Sequence, residues 1–271
     1  MVQQEIVDHY AQTGYEGERL STETGRLEYA RTREIIQRYL SPQPSVILDV
    51  GGGPGAYSLW LAGMGHTVHL IDMVPRHIEI ATERSRAART PLASVEIGEA
   101  RSLPYADGYA DIVLLMGPLY HLVEREERLD ALRENGRVLK RGGRMLCAAI
   151  SRYASLLDGF RTHLFDDPEY EKVVDRDLQD GQHRNPEGKD FFTTAYLHKP
   201  ADLREEITGA GLVCEKVVGV EGPVCILNEL NEWLDKRDRY YELALKYAQA
   251  VEEEPSLLGA SFHLLAIVRK P

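Results

Sequence analysis

Five short apolar runs organise the first 150 residues of the chain, at 46–50, 67–71, 94–97, 110–116 and 144–150. Each run is rich in branched apolar residues and is followed by a glycine or a polar residue, which is typical of a buried strand in a parallel sheet. Between the runs, apolar positions recur at helical spacing, for example within 56–62 and 129–139. Strands that alternate with helices predict a Rossmann-like, doubly wound α/β fold with a mostly parallel sheet.

The segments on either side of these runs predict further elements. Residues 1–40 predict a helical cap ahead of the first strand, and apolar runs at 212–220 and 261–269 bring the expected sheet to seven strands. Residues 151–199 have weak periodicity and contain several helix breakers, which is typical of a lid or a substrate-binding insertion. A long amphipathic helix is predicted within 223–258, with one apolar face formed by Leu227, Leu230, Leu234, Tyr241, Leu245 and Ala248.

These patterns predict a single domain over residues 1–271. Its core, residues 45–150, is expected to bind a cofactor. Residues 200–271 are expected to complete the sheet and to carry the helical insertion. The lid is placed directly after the fifth strand, where a long irregular connection is most often functional.

A glycine cluster follows the first predicted strand in the run Leu48-Asp49-Val50-Gly51-Gly52-Gly53-Pro54-Gly55. Glycines at alternate positions allow a sharp turn and let a ligand approach the backbone closely. The next helix presents free N–H groups beside that turn. Together with Ala56, the cluster also satisfies the G-x-G-x-x-A pattern of dinucleotide sites, so a nicotinamide-dependent oxidoreductase stays open as an alternative.

Asp72 ends the second predicted strand, about 20 residues after the glycines. A carboxylate at this place accepts hydrogen bonds from ribose hydroxyl groups. Both nicotinamide and S-adenosylmethionine enzymes use such an acid, so Asp72 does not separate the two cofactors.

A third motif runs from Gly98 to Val113 as Gly-Glu-Ala-Arg-Ser-Leu-Pro-Tyr-Ala-Asp-Gly-Tyr-Ala-Asp-Ile-Val. With the D-x-G-x-G-x-G loop that begins at Asp49, it resembles class I S-adenosylmethionine-dependent methyltransferases, with a motif set similar to that of ubiquinone/menaquinone methyltransferases. The resemblance covers about residues 46–150. It implies S-adenosylmethionine as cofactor and S-adenosylhomocysteine as product.

The resemblance also implies a division of roles along the cofactor. Asp49, Gly51, Gly53 and Gly55 would line its methionine and sugar side. Asp72 would hold the ribose, and Met73 would pack against the adenine. Glu99 and Ala100 would lie at the adenine, and Gly117 would lie beside the reactive methyl group.

The acceptor side is expected near the end of the fourth strand, because ligands gather at the carboxyl ends of strands in open α/β sheets. Tyr120 and His121 follow that strand, and His121 is the first candidate for a general base, with packing as the equal alternative. Tyr10 and Tyr15 lie in an N-terminal segment that closes over the cofactor in related enzymes, so both are candidate acceptor contacts. His263, in the last predicted strand, is expected to be a core or sheet residue.

The composition of the chain indicates which kinds of partner and metal are not expected. The formal net charge is −11 at pH 7, and no basic patch is visible, so a nucleic-acid partner is not expected. The three cysteines fit no metal-ligand spacing, and no metal is predicted. The absence of an apolar run of about 20 residues or of a signal peptide favours a cytoplasmic protein without a membrane partner. The leading hypothesis is O-, N- or C-directed methyl transfer to a metabolite or natural product, and a non-catalytic S-adenosylmethionine-binding protein is the third alternative.

Overall fold

The computed structural model describes residues 2–13, 20, 23–189, 191–227 and 239–271. The strands are β1 Val46–Val50, β2 Thr67–Asp72, β3 Ser94–Ile97, β4 Ala110–Leu115, β5 Leu139–Ser151, β6 Gln182–His183, β7 Ala195–His198, β8 Val213–Gly219 and β9 His263–Arg269. The helices are α1 Val2–Thr13, α2 Glu23–Gln37, α3 Ala56–Gly63, α4 Pro75–Ala87, α5 Pro118–His121, α6 Arg125–Val138, α7 Ala154–Arg161, α8 Pro168–Asp180, α9 Pro200–Gly209 and α10 Arg239–Val251. Short 3₁₀ turns lie at Leu164–Asp166, Gly222–Ile226 and Leu258–Ala260.

The main sheet confirms the seven predicted strands. Its order is β3-β2-β1-β4-β5-β9-β8, in which the first five strands are parallel. Strand β9 runs antiparallel to both β5 and β8. The carboxyl ends of the parallel strands and the start of β9 therefore meet at one edge, which is the edge where ligands gather in this fold.

The predicted insertion at residues 151–199 is more ordered than its weak periodicity suggested. It contains α7 and α8, and it adds two strands that the sequence analysis missed. Strand β7 pairs in parallel with the end of β5, where Ile150 faces Leu197, and β6 pairs with β7 in antiparallel fashion. A two-residue strand and a four-residue strand are too short to produce a readable alternation.

The prediction of one continuous helix within 223–258 is wrong for its first residues. Gly222 has a φ of +63°, and Pro223 lacks a backbone N–H, so the chain forms a 3₁₀ turn that ends at Ile226. Leu227 is thus outside any helix, while Leu230 and Leu234 lie outside the described residues. Helix α10 carries the remaining predicted positions, with Tyr241 and Leu245 packed around Leu27 and with Ala248 buried.

The sheet is covered on both faces, as the doubly wound prediction requires. One face buries Leu132 of α6 and Leu203 of α9, and the other buries Ile36 of α2 and Leu61 of α3. Burying such side chains stabilises the fold by about 1.5–3 kcal/mol each. No helix in the described part of the chain is long and apolar enough to cross a membrane.

Candidate functional site

A cleft lies at the carboxyl ends of β1, β2 and β4. Ten of the residues proposed from the sequence line it: Tyr10, Gly51, Gly53, Asp72, Met73, Glu99, Ala100, Gly117, Tyr120 and His121. Tyr15, the other N-terminal candidate, lies outside the described residues. The structure therefore brings segments from five regions of the sequence to one cavity.

The glycine loop forms the floor of the cleft through its backbone. Gly51 has a φ of +74°, and a Cβ built there would lie 2.3 Å from Cδ of Pro118 at the start of α5. The Gly51 N–H donates to the carbonyl of Ile71 in β2 at 2.7 Å, which fixes the turn against the neighbouring strand. Gly55, with a φ of +87°, begins α3 and packs against the sheet, so its role is to shape the turn and it is not part of the cleft wall.

Asp49 lies beneath this loop, which corrects its predicted place on the cofactor's surface. Its side chain is fully buried and absent from the cleft wall, and the Ser58 hydroxyl donates to Oδ2 at 2.5 Å. Among the described residues Oδ1 has no hydrogen-bond partner. Desolvation, with a smaller contribution from the charge of Asp72, raises the pKa of Asp49 to about 6. Asp49 therefore supports the loop from behind.

Asp72 connects the glycine loop to the end of β2. Its Oδ2 accepts the Gly53 N–H at 2.8 Å, and its Oδ1 accepts the Val74 N–H at 2.8 Å. Nδ1 of His77, on the first turn of α4, lies 3.1 Å from Oδ1. Since a carboxylate can accept about four hydrogen bonds, these contacts leave capacity for a ligand hydroxyl in the cleft. His77 was missed from the sequence, although its position in the first turn of the helix that follows Asp72 could have indicated it.

The adenine-side candidates form a second wall. Glu99 is held by the Arg101 guanidinium, with Nη2 2.7 Å from Oε2 and Nε 3.2 Å from Oε1. Its carboxylate is thus already engaged by a charged partner, and a contact to adenine stays a prediction. Met73 packs with Ile6 and Tyr10 of α1, so the N-terminal helix covers this side of the cleft.

His121 and Tyr10 form a bonded pair over the cleft. The Tyr10 hydroxyl lies 2.9 Å from Nε2 of His121, and Nδ1 of His121 lies 3.5 Å from the carbonyl of Thr194. With Nδ1 protonated toward that carbonyl, Nε2 accepts the Tyr10 O–H. The imidazole also stacks on Phe192 with centroids 6.2 Å apart. Desolvation lowers the pKa of His121 to about 4, so the ring is neutral at pH 7.

Tyr120 and three residues that were not predicted complete the wall of the cleft. The Tyr120 hydroxyl donates to the carbonyl of Met116 at 3.3 Å, and Tyr120 lines the cleft. Glu28, Tyr57 and His263 also line it and were not predicted as site residues. Their segments are far apart in the chain, so no local motif could have indicated them.

Part of the chain is similar to known methyltransferases. Residues 48–147 match the family model described as "Methyltransferase domain". The methyltransferase GfsG of Streptomyces halstedii is 31% identical over 121 residues, which cover 44% of this chain and 42% of that protein. The ubiquinone/menaquinone biosynthesis C-methyltransferase UbiE of Caulobacter vibrioides is 31% identical over 132 residues, which cover 44% of this chain and 50% of that protein. The match thus spans about half the length of these relatives.

A solved SAM-dependent methyltransferase from Methanosarcina mazei shares the fold, with a TM-score of 0.58 and 20% identity over 87% of this chain and 96% of that one. Residues 48–147 are thus similar to a methyltransferase domain, and the chain has the fold of that solved methyltransferase. S-adenosylmethionine is the cofactor of this family. The cleft fits this cofactor, because Gly51 carries no side chain at the cavity and Asp72 keeps acceptor capacity there.

Proposed function

We propose that this chain transfers the methyl group of S-adenosylmethionine to a small-molecule acceptor. The observation that carries the proposal is the hydrogen bond from Gly53 N–H to Asp72, since it joins the glycine turn and the ribose-binding acid in one cradle at the cleft. The similarity to GfsG and UbiE, both methyltransferases, supports the same reaction class. The acidic net charge of −11 supports a small molecule over a nucleic acid.

The division of work follows from the cavity. When bound, the cofactor supplies an activated methyl group, so the protein has mainly to align an acceptor and to exclude water. Gly117 lies in the cleft without a side chain, which leaves room for the reacting atoms. Tyr10 and Met73 cover the cleft from the side of α1.

His121 is proposed as an acceptor contact more than as a strong base. A pKa of about 4 keeps the imidazole neutral, and Nε2 is already bonded to the Tyr10 hydroxyl. Such a ring accepts hydrogen bonds well but takes a proton from an acceptor reluctantly at pH 7. An amine acceptor needs only its lone pair, whereas a hydroxyl acceptor also needs a group that takes its proton.

Cofactor binding separates the proposal from its alternatives. We expect S-adenosylhomocysteine, titrated by calorimetry, to bind the purified full-length chain, and NADH not to bind. Asp72→Ala should weaken S-adenosylhomocysteine binding by about tenfold or more, because a charged hydrogen bond is worth ~1.5–3 kcal/mol. The control is Glu79→Ala, which removes an exposed carboxylate paired with Arg76 on α4. NADH binding without S-adenosylhomocysteine binding would overturn the proposal in favour of the oxidoreductase.

Methyl transfer itself is tested with methyl-labelled S-adenosylmethionine and a panel of small amines, hydroxyl compounds and carbon acids. We expect labelled product with at least one class, and less product from His121→Ala at unchanged S-adenosylhomocysteine affinity. Binding without transfer to any class would favour the non-catalytic alternative. A cytoplasmic location stays a prediction from composition.

A further inference from the structure

A second cluster of side chains lies in the wall of the same cleft, away from the glycine loop and Asp72. It consists of Glu28 on α2, Glu221 just after β8, and His263 at the start of β9. One ligand atom from each residue lies within 4.8 Å of the other two. Glu28 and His263 face the cleft, and Glu221 is 1% exposed behind them. The sheet residue expected at His263 is therefore also a residue of the cleft.

Strand pairing brings Glu221 and His263 together. Gly219 pairs with Leu264, and the Val220 N–H donates to the His263 carbonyl at 3.0 Å. The next residue, Glu221, then lies beside the His263 ring, with Oε1 2.5 Å from Nδ1. This contact depends on the β8–β9 register, which no local sequence pattern specifies.

Helix α2 brings the third carboxylate. Nε of Arg31 donates to the carbonyl of Val220 at 3.1 Å, which fixes α2 against the end of β8. Glu28 lies three residues earlier on the same face of the helix, with Oε2 3.8 Å from Nδ1 of His263. The charge of Arg31 is paired with Glu34 and Glu252, so it is not committed to the cluster.

The Glu221 carboxylate is oriented by groups behind it. Its Oε2 accepts the Ser261 hydroxyl at 2.7 Å and the His263 backbone N–H at 3.1 Å. Ser261 Oγ accepts the N–H groups of Glu221 and Gly222, both at 3.1 Å. Oε1 is thereby turned toward His263 and Glu28. Outer hydrogen bonds that orient a ligand atom in this way are typical of metal sites.

We propose that Glu28, Glu221 and His263 bind a divalent metal ion in the wall of the cleft. Two carboxylate oxygens and one imidazole nitrogen suit Mn²⁺ or Zn²⁺. Its remaining coordination positions face the cleft and take an oxygen or nitrogen atom of the acceptor. Metal binding does not depend on the proposed function, whereas the contact between the metal and an acceptor does.

Pairing across the sheet gives the spacing between the strand of His263 and Gly117, which is proposed to lie beside the reactive methyl group. Leu115 at the end of β4 faces Cys147 of β5, and Ala148 faces Leu265 of β9, so two strand spacings separate Gly117 from the His263 strand. With strands about 4.8 Å apart, the separation is about 10 Å. The ion therefore holds a part of the acceptor remote from the reacting atom, which selects acceptors that carry a metal-binding group there.

The test uses the chelator-treated full-length chain titrated with Mn²⁺ alone, by calorimetry and by the electron paramagnetic resonance signal of free Mn²⁺, with Zn²⁺ in a parallel calorimetric titration. We expect one site per chain, weakened about tenfold or more in Glu28→Gln and in His263→Gln. Glu79→Gln is the control, and it should bind the metal as the wild type does. Metal should raise the Tm of the wild type and not that of Glu28→Gln.

Folding is checked in every variant by S-adenosylhomocysteine titration, which does not use the metal. Absence of binding of either metal to the wild type, or equal binding by all variants, would overturn the inference. Loss of metal binding in the two variants while they still bind S-adenosylhomocysteine supports it. Failure of S-adenosylhomocysteine to bind the wild type would count against the proposed function alone.

Discussion

The two ends of the cleft are built in different ways. The proposed donor end consists of the glycine loop and Asp72, and its contacts run through backbone N–H groups of neighbouring segments. The proposed acceptor end consists of the Tyr10–His121 pair and the Glu28–Glu221–His263 cluster, and its contacts run between side chains that lie far apart in the sequence. A backbone cradle can be identified from a contiguous motif, whereas a side-chain cluster depends on long-range register.

Burial acts on one titratable group near each end. It raises the pKa of Asp49 to about 6 and lowers the pKa of His121 to about 4, so in both cases it favours the neutral form. Asp49, whose pKa is raised, lies buried beneath the glycine loop, whereas His121, whose pKa is lowered, lines the cavity. Substitutions that affect one end of the cleft and leave the other end unchanged test this difference.

The largest effect is expected for Gly51→Ala. A Cβ there would lie 2.3 Å from Cδ of Pro118, and the φ of +74° is strained for alanine. We expect S-adenosylhomocysteine affinity, measured by calorimetry, to fall by about a hundredfold, equivalent to ~2.7 kcal/mol. Gly65→Ala is the matched control, because Gly65 has a φ of +93° with nothing within 4 Å of a built Cβ. Equal losses in both variants would mean that strain alone, and not the fit of the loop against α5, sets the affinity.

A smaller loss of S-adenosylhomocysteine affinity is expected for Asp72→Asn. The amide places a donor where the carboxylate accepts the N–H of Gly53 or Val74, so one backbone donor loses its partner. We expect S-adenosylhomocysteine affinity to fall by about tenfold to a hundredfold, corresponding to the ~1.5–3 kcal/mol of a charged hydrogen bond. His77→Ala removes only one hydrogen-bond partner of Asp72, so it should lower S-adenosylhomocysteine affinity less than Asp72→Asn does. A larger loss in His77→Ala than in Asp72→Asn would contradict the role given to the carboxylate.

The same division explains how much could be predicted from the sequence. All seven strands of the main sheet and most of the donor end were predicted, because hydrophobic runs and glycine spacing act over a few residues. Asp49 was placed on the cofactor surface since its spacing matches the family motif, but spacing does not say which side of the turn a side chain takes. The contact between Glu28 and His263 joins residues from nearly opposite ends of the chain. Only the packed sheet and helix determine such a contact.

The pH dependence of stability should separate Asp49 from His121. Asp49 contributes stability below its unfolded pKa of 3.8, and this contribution is lost as pH rises through about 6. His121 contributes stability above its unfolded pKa of 6.5, and this contribution is lost as pH falls through about 4. The two slopes oppose each other between about pH 4 and 6, so each hides part of the other in the wild type.

Urea unfolding at pH 4, 5, 6 and 7 measures these slopes in single variants. In Asp49→Asn, the free energy of unfolding should fall more steeply than in the wild type as pH decreases. In His121→Gln it should fall less steeply, with differences of about 1–3 kcal/mol across the window. Parallel pH curves for both variants and the wild type would contradict the shifted pKa values.

The smallest effect is expected for Tyr10→Phe, which acts on the acceptor end alone. The Tyr10 O–H donates to Nε2 of His121 and so favours the neutral imidazole. Its removal should raise the pKa of His121, followed by NMR of the ring protons, by up to about one unit or ~1.4 kcal/mol. Tyr109→Phe is the matched control, because the Tyr109 hydroxyl lies 3.0 Å from Nε2 of His69 on the outer part of the sheet. It should shift His69 and leave His121 unchanged, whereas a His121 pKa that stays the same in Tyr10→Phe would mean that α1 covers the cleft without bonding to it.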